Sequence, residues 1–310
     1  MIEIFYKTIP FFALIGLGYL AAITRFFSAE ATAYLTKFVF YFALSAMLFR
    51  FSSDLSLSEL YDPEFIYAYL SASLIIYFLA TAVAIFRKKV PSEAAVEAQC
   101  SVIGNVGFLG IPMLAILMGP KSVGFIMIIL AIDLIVFGSL IVLIIVASKD
   151  KKLDLFLFYR VLLGLMKNPM IVSIICGLLW SASGWSIPGP INDFIVMLGS
   201  AATPGALFAI GASLAQKSTE RFEVAAWLSF CKLVLHPFAV CIAVFYIFEV
   251  ELYAATVMIA AASLPVAGNI FMVAQHYNVA PKRASAAIFL STVLSIFTVS
   301  FTIAWVSNLN

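Results

Sequence analysis

Gln99-Cys-Ser-Val-Ile-Gly-Asn-Val-Gly-Phe-Leu-Gly-Ile-Pro112 is a stretch in which three glycines and a proline interrupt a long apolar segment. A second stretch, Leu264-Pro-Val-Ala-Gly-Asn-Ile270, interrupts another apolar segment, and its Gly268-Asn269 lies 164 residues after Gly104-Asn105. Proline lacks a backbone N–H and glycine weakens a helix, so both stretches predict a broken helix. Paired interruptions in the two halves of an apolar chain indicate the binding site of a secondary transporter.

The composition places the chain in a membrane. Its 310 residues are 64% hydrophobic and only 11% charged, whereas a soluble domain is about half apolar and a quarter charged. The net charge of +2 gives no reason to expect a nucleic-acid partner. The four cysteines have no metal-ligand spacing, and no nucleotide-binding motif is present. We therefore expect a lipid bilayer around the protein, and no metal, no cofactor and no catalytic residues.

Ten apolar segments are long enough to span a bilayer. Adding 164 to the residue numbers superimposes the second segment on the seventh and the third on the eighth. The sequence thus predicts an all-α polytopic membrane protein with ten transmembrane helices in two five-helix repeats, whose helices 4 and 9 are broken and cross. The segments are 4–24, 31–51, 64–86, 93–118, 121–147, 168–184, 190–215, 222–248, 252–277 and 283–307.

The distribution of lysine and arginine predicts the orientation. Thirteen of these residues fall in the loops after odd-numbered segments and two in the loops after even-numbered segments. Because basic loops stay in the cytoplasm, both termini should lie outside. Each repeat has an odd number of spans, so the second repeat must be inverted. The predicted organisation is a first repeat at 1–147, a cytoplasmic linker at 148–167 and a second repeat at 168–310.

The two interruptions are the candidate substrate-binding site. The half-helices that begin there would present free N–H groups and positive dipole ends, which suit an anion. The amides of Asn105 and Asn269 could donate hydrogen bonds to it. The alternative is glycine-mediated helix packing with a proline kink in each segment. The substrate-binding candidates are Gly104, Asn105, Gly107, Pro112, Pro265, Gly268 and Asn269.

Charged residues within the apolar segments form a second group. Asp133 lies in the fifth segment, and Lys232 and His236 lie one helical turn apart in the eighth. Such residues are costly in lipid and should face protein or water. A coupling or gating site, a counter-charge for the substrate and a structural ion pair all remain open. Glu93 and Glu97, at the start of the fourth segment, are expected at the membrane interface.

Several motifs resemble the auxin efflux carrier family, which is related to the bile-acid:sodium symporters. The resemblance covers the whole chain. It implies that helices 1, 2, 6 and 7 form a scaffold, that helices 3–5 and 8–10 form a transport domain, and that organic anions such as malate, malonate or auxin-like acids cross the plasma membrane by an elevator mechanism. A homodimer through the scaffold helices is a further expectation. The motifs are Asn105–Pro112, Asn168-Pro169, Pro204–Ser213, Lys232–Pro237 and Leu264–Asn269.

The resemblance leaves rival functions open. A sodium-coupled symporter of the bile-acid type would need oxygen ligands beside the crossing, and coupling to H⁺ or Na⁺ is undecided. An intramembrane enzyme would need a nucleophile and a base within hydrogen-bond reach. A channel is the third alternative. The possible ion ligands are Gln99, Ser101, Ser263 and Gln275.

Overall fold

The computed structural model describes residues 2–54, 62–150, 163, 166–215 and 221–309. Most of these residues are helical and none belongs to a β-strand, so the predicted all-α class is confirmed for them. Most of the predicted linker at 148–167 lies outside the described residues. The helices are α1 (Ile2–Ile23), α2 (Ala29–Ser53), α3 (Pro63–Phe86), α4 (Pro91–Val102), α5 (Val106–Met118), α6 (Ser122–Ser148), α7 (Pro169–Ser183), α8 (Gly189–Leu214), α9 (Phe222–Ile247), α10 (Leu252–Ala262), α11 (Asn269–His276) and α12 (Pro281–Val306).

Six of the described helices are long and apolar enough to cross a membrane, namely α2, α3, α6, α8, α9 and α12. They coincide with the second, third, fifth, seventh, eighth and tenth predicted segments. Shorter apolar helices occupy the other four segments. Large apolar side chains such as Phe86 and Tyr246 are almost fully exposed on the outer surface. A protein with an apolar exterior of this kind belongs in lipid.

Local sequence sets the helix starts. The Asp62 carboxylate accepts a hydrogen bond from the N–H of Phe65 at 3.1 Å and caps α3. Asn168 caps α7 in the same way, through the N–H of Met170 at 2.9 Å. A proline follows each cap, where its fixed φ suits the first turn and its missing N–H costs nothing.

Five wider turns of π type interrupt the described helices. A π turn accommodates one extra residue and often marks a functional position. Asp133 begins one of these turns and Lys232 is the second residue of another. The π turns are Val39–Ala43, Val106–Gly110, Asp133–Phe137, Cys231–Leu235 and Ala243–Ile247.

Helices α1, α2, α7 and α8 approach one another closely at glycines. A Cβ placed on Gly211 of α8 would lie 1.8 Å from the carbonyl oxygen of Ile15 in α1. A Cβ on Gly177 of α7 would lie 2.5 Å from the carbonyl oxygen of Phe49 in α2. A side chain at either place would push the two backbones apart, and such close contacts hold transmembrane helices tightly together.

The broken helices occupy the centre of the molecule. In α4, every side chain from Ala94 to Val102 is buried, and in α10 every side chain from Ala254 to Ala262 is buried. Both helices are rich in alanine and other small residues, which allows neighbouring helices to surround them. The breaks that follow α4 and α10 therefore lie deep inside the protein.

Candidate functional site

The two predicted breaks meet and bond to each other. The N–H of Asn105 donates to the carbonyl of Pro265 at 2.8 Å, and the N–H of Ala267 donates to the carbonyl of Ile103 at 3.1 Å. The two bonds flank a single antiparallel bridge between Gly104 and Val266. Each break thus satisfies backbone groups that the other leaves open, as non-helical backbone inside a membrane requires.

The first break is a tight turn centred on Asn105. Its φ of −75° and ψ of 56° are those of an inverse γ-turn, which the bond from the N–H of Val106 to the carbonyl of Gly104 closes at 2.8 Å. The Asn105 carbonyl then accepts from the N–H groups of Leu109 and Gly110, which starts α5. The Asn105 side chain does not cap the helix, so its amide is available to a ligand.

The second break uses a proline and a neighbouring hydroxyl. Pro265 has no N–H and therefore needs no acceptor, while its carbonyl accepts the hydrogen bond from the N–H of Asn105. The N–H of Val266 donates to the hydroxyl of Ser291 in α12 at 3.1 Å. Gly268 then precedes α11, and Asn269 is the first helical residue.

A small cavity lies against the crossing. Its volume is about 20 Å³, and a cavity needs about 10–15 Å³ to hold one water. Two oxygens, Oδ2 of Asp133 and Oδ1 of Asn269, are buried without a hydrogen-bond partner among the described residues. Five of the seven substrate-binding candidates line this cavity, namely Gly104, Asn105, Gly107, Gly268 and Asn269; they are joined by Ile103, Val106, Phe108, Leu130, Asp133, Leu134, Met170 and Ala267.

A second cavity of about 80 Å³ shares Asn105 and Gly268 with the first. It lies between the crossing and helices α8 and α12, and Ser213 and Ser285 supply hydroxyls to its wall. The two remaining substrate-binding candidates line neither cavity. Pro112 is buried inside α5, and Pro265 takes part only through its carbonyl.

Asp133 reaches the crossing from α6. Its side chain is 3% exposed, and its Oδ1 accepts a hydrogen bond from the hydroxyl of Tyr69 in α3 at 2.8 Å. The second carboxyl oxygen has no hydrogen-bond partner among the described residues, and Asp133 lines the cavity. The expectation that this residue faces protein rather than lipid is confirmed.

Lys232 and His236, both in α9, are fully buried. The Lys232 ammonium donates to the carbonyl of Ala262 and to Nδ1 of His236, the latter at 3.0 Å. Because Nδ1 accepts, Nε2 carries the proton and donates to the hydroxyl of Ser73 at 3.0 Å. Ala262 ends α10, so the lysine places positive charge at the negative end of that helix.

The possible ion ligands differ in their surroundings. The hydroxyls of Ser101 and Ser263 donate to carbonyls of their own helices, those of Glu97 and Ala260, at 2.9 and 2.7 Å. Gln99 is buried in α4, and its side-chain oxygen has no hydrogen-bond partner in the part of the chain that the structure describes, whereas Gln275 is exposed near the end of α11.

Glu97 belongs to a buried ion cluster, and the expectation that it lies at the depth of the membrane interface stays a prediction. Its carboxylate is fully buried and binds Nη1 of Arg283 in α12 at 2.8 Å and the guanidinium of Arg87. Glu93 is partly exposed and completes the cluster through Arg283 at 3.2 Å. The apolar pattern predicted a helix around Glu97 but contained no signal for its partner in α12, and sequence reasoning likewise missed Tyr69, Ser73 and Met170.

Two comparisons with known proteins bear on what the whole chain does. The model of a family described as "Membrane transport protein" matches residues 3–303. The chain belongs to this membrane transport family. The family match agrees with the resemblance found in the sequence and identifies a multi-pass membrane transporter. A protein of Rhizobium meliloti (strain 1021), described as "Putative malonate transporter", is 29% identical over 303 residues, which cover 97% of this chain and 95% of that protein.

Proposed function

We propose that the protein is a secondary transporter of small organic dicarboxylates, and that the substrate binds at the crossing. The observation that carries the proposal is the pair of helix starts, at Asn105 and Asn269, that face one cavity. Each start offers first-turn N–H groups without an intrahelical partner and a positive dipole end. Two such ends, each beside an amide, suit the two carboxylates of a malonate-like acid, and the Rhizobium relative is named for malonate.

Charge at the crossing supports an anion as the substrate. Four helix ends meet there, and the negative end of α10 is already neutralised by Lys232. An ionised Asp133 would repel a carboxylate, whereas a protonated Asp133 could donate a hydrogen bond from Oδ2. We therefore assign Asp133 the coupling role, with Lys232 and His236 as its neighbours, and propose that a proton accompanies the substrate.

We propose further that ten spans form two inverted repeats. Support comes from the crossing itself, where Ile103 and Ala267 bond to each other. Their residue numbers differ by 164, the offset that superimposes the two halves of the sequence. In a protein with an internal two-fold axis, a residue on the axis contacts its own counterpart, as these two residues do.

An elevator mechanism requires two groups of helices that move relative to each other. The glycine contacts bind α1 to α8 and α2 to α7, which correspond to predicted helices 1, 7, 2 and 6. The remaining helices hold the crossing and the buried charges. Movement of these remaining helices against the first four would carry the cavity from one membrane face to the other. A homodimer would form through the first group of helices, which are α1, α2, α7 and α8.

The rival functions have less support. In a sodium-coupled symporter, a cation would be needed near the crossing, but Lys232 already supplies positive charge at the end of α10, and Gln275 is exposed. Ser73 and His236 are a hydroxyl and a base in contact. They line neither of the two cavities described above.

Uptake by the purified protein in liposomes tests the proposed function. We expect labelled malonate to accumulate, with competition from other short dicarboxylates and stimulation by an inward proton gradient. Sodium should have no effect. Transport of amines or neutral sugars, with no dicarboxylate bound, would reject the proposal. Sodium-dependent uptake would favour the bile-acid-type alternative.

We propose that the protein lies in the bacterial inner membrane with both termini outside. Cysteine labelling in a variant without the exposed Cys176 tests the orientation. A Ser186→Cys variant should react with an impermeant reagent added from outside, and a Lys88→Cys variant should not. The reverse pattern would overturn the assigned orientation.

A further inference from the structure

The cavity at the crossing is too small for the substrate we propose. Its volume of about 20 Å³ suits about one water molecule, whereas a dicarboxylate is several times larger. At least one lining side chain must move before an acid can bind. Met170 is the unbranched one among the large apolar side chains of the wall, and an unbranched thioether changes conformation more readily than leucine or phenylalanine.

Met170 covers the start of α5. Its terminal methyl lies against Gly107, where an added Cβ would be 2.9 Å from Cε of Met170. Gly107 is the second residue of α5, within the turn whose N–H groups lack intrahelical acceptors. The methyl group therefore occupies space beside the groups that would bind a carboxylate.

The origin of Met170 distinguishes it from the rest of the cavity wall. All the other lining residues belong to α5, α6, α11 or the two breaks, whereas Met170 belongs to α7. Helix α7 is held against α2 through Gly177. The cap on Asn168 fixes the Met170 backbone, and the side chain itself is 3% exposed. A fixed backbone thus carries a flexible side chain into the cavity.

We propose that Met170 determines the chain length of the acid that is transported. The bound acid displaces the methyl from Gly107, and the side chain then packs against the acid and limits its length to that of a short dicarboxylate. The inference rests on the proposed function and adds a specificity-determining residue to it. Truncating Met170 enlarges the site on the side of α7 and leaves both amides in place.

Competition against labelled malonate uptake in liposomes tests this role. The competitors are malonate, succinate and glutarate, which differ by one methylene each. The variants are Met170→Ala, Met170→Val and the volume-conserving Met170→Leu. Met258→Ala is the matched control, because Met258 is also fully buried but lines neither of the two cavities described.

For Met170→Ala we expect the half-inhibitory concentration of succinate, relative to malonate, to fall about tenfold, the scale of one misfitted methylene in a pocket, and that of glutarate to fall at least as far. Met170→Val should give a smaller shift, and Met170→Leu and Met258→Ala none. If Met170→Ala does not insert, the Met170→Val variant decides. Unchanged ratios in both truncated variants, with malonate still competing, would overturn the role of Met170 alone. Absence of dicarboxylate competition in the unmodified protein would overturn the proposed function with it.

Discussion

Two groups of helices in this protein are stabilised by different interactions. In α1, α2, α7 and α8, close contacts at glycines join the backbones, and the buried polar residues are the hydroxyls of Thr8, Thr32 and Ser52. In the other described helices, buried carboxylates, a lysine, a histidine and an arginine interact across helices. Within the described residues, every buried charged side chain belongs to this second group. This difference is the basis of the division proposed above, in which the first group is a rigid frame and the second group holds the binding site.

The buried ion cluster should give the largest effect on stability. Replacing Arg283 with methionine leaves Glu97 buried with Arg87 as its remaining close cation. Breaking one side of a buried ion pair costs about 3–5 kcal/mol, so Arg283→Met should strongly lower the thermal unfolding midpoint of the purified protein. Lys282→Met, at the exposed neighbouring residue, is the control and should change little. Equal midpoints for the two variants would show that the cluster does not stabilise this group.

The glycine contacts allow a matched test of the frame. A Cβ on Gly18 of α1 would lie 2.1 Å from the carbonyl oxygen of Phe208, whereas a Cβ on Gly16 meets nothing within 4 Å. Overpacking costs about 1–3 kcal/mol, so Gly18→Ala should lower the unfolding midpoint and Gly16→Ala should not. Similar midpoints for the two variants would mean that α1 and α8 can move apart without penalty. The proposed difference between the two groups of helices would then fail.

Substitutions at the two amides test the site without disturbing the frame. Asn105→Ala and Asn269→Ala should each weaken malonate binding by about 1–3 kcal/mol, the cost of leaving a buried polar group unpaired. The yield of folded protein should be retained. Asn192→Ala, in α8 and outside both described cavities, is the control. Binding that matches the unmodified protein in both amide variants would favour glycine-mediated packing as the purpose of the two breaks.

The smallest expected change is in the response to pH. Asp133→Asn keeps the shape of the side chain and removes its proton exchange, so malonate uptake should become less dependent on a proton gradient. The groups that face Asp133 are Tyr69, on α3, and Lys232, on α9. Asp193→Asn, at an exposed carboxylate of α8, should leave the pH profile unchanged. A normal profile in Asp133→Asn would make this carboxylate structural.

Much of the fold follows from local sequence. The apolar segments predict the helices because lipid requires long runs of apolar residues. Gly104, Asn105 and Pro265 predict the breaks because each of these residues weakens or interrupts a helix. The helix starts at Pro63 and Pro169 also follow from local sequence, because proline suits the first turn of a helix.

Contacts between helices could not be predicted in this way. Glu97 lies 186 residues from Arg283, and nothing in either segment indicates how the two helices are rotated toward each other. Met170 lines the cavity because α7 begins beside the crossing, which depends on packing rather than on periodicity. The π turns at Asp133 and Lys232 add to the difficulty, because each changes the rotation of the residues that follow.

The bonds between the two breaks have a consequence for synthesis in the cell. The N–H of Asn105 has its acceptor at Pro265, and the carbonyl of Ile103 has its donor at Ala267. At roughly 5–20 residues per second, the ribosome needs about 8–30 s to make the chain between these partners. During that interval the N–H of Asn105 and the carbonyl of Ile103 lie in the membrane or the insertion machinery without their partners from the second break. A nascent chain halted before Pro265 should consequently be a substrate for membrane proteases, and one halted after α12 should resist them.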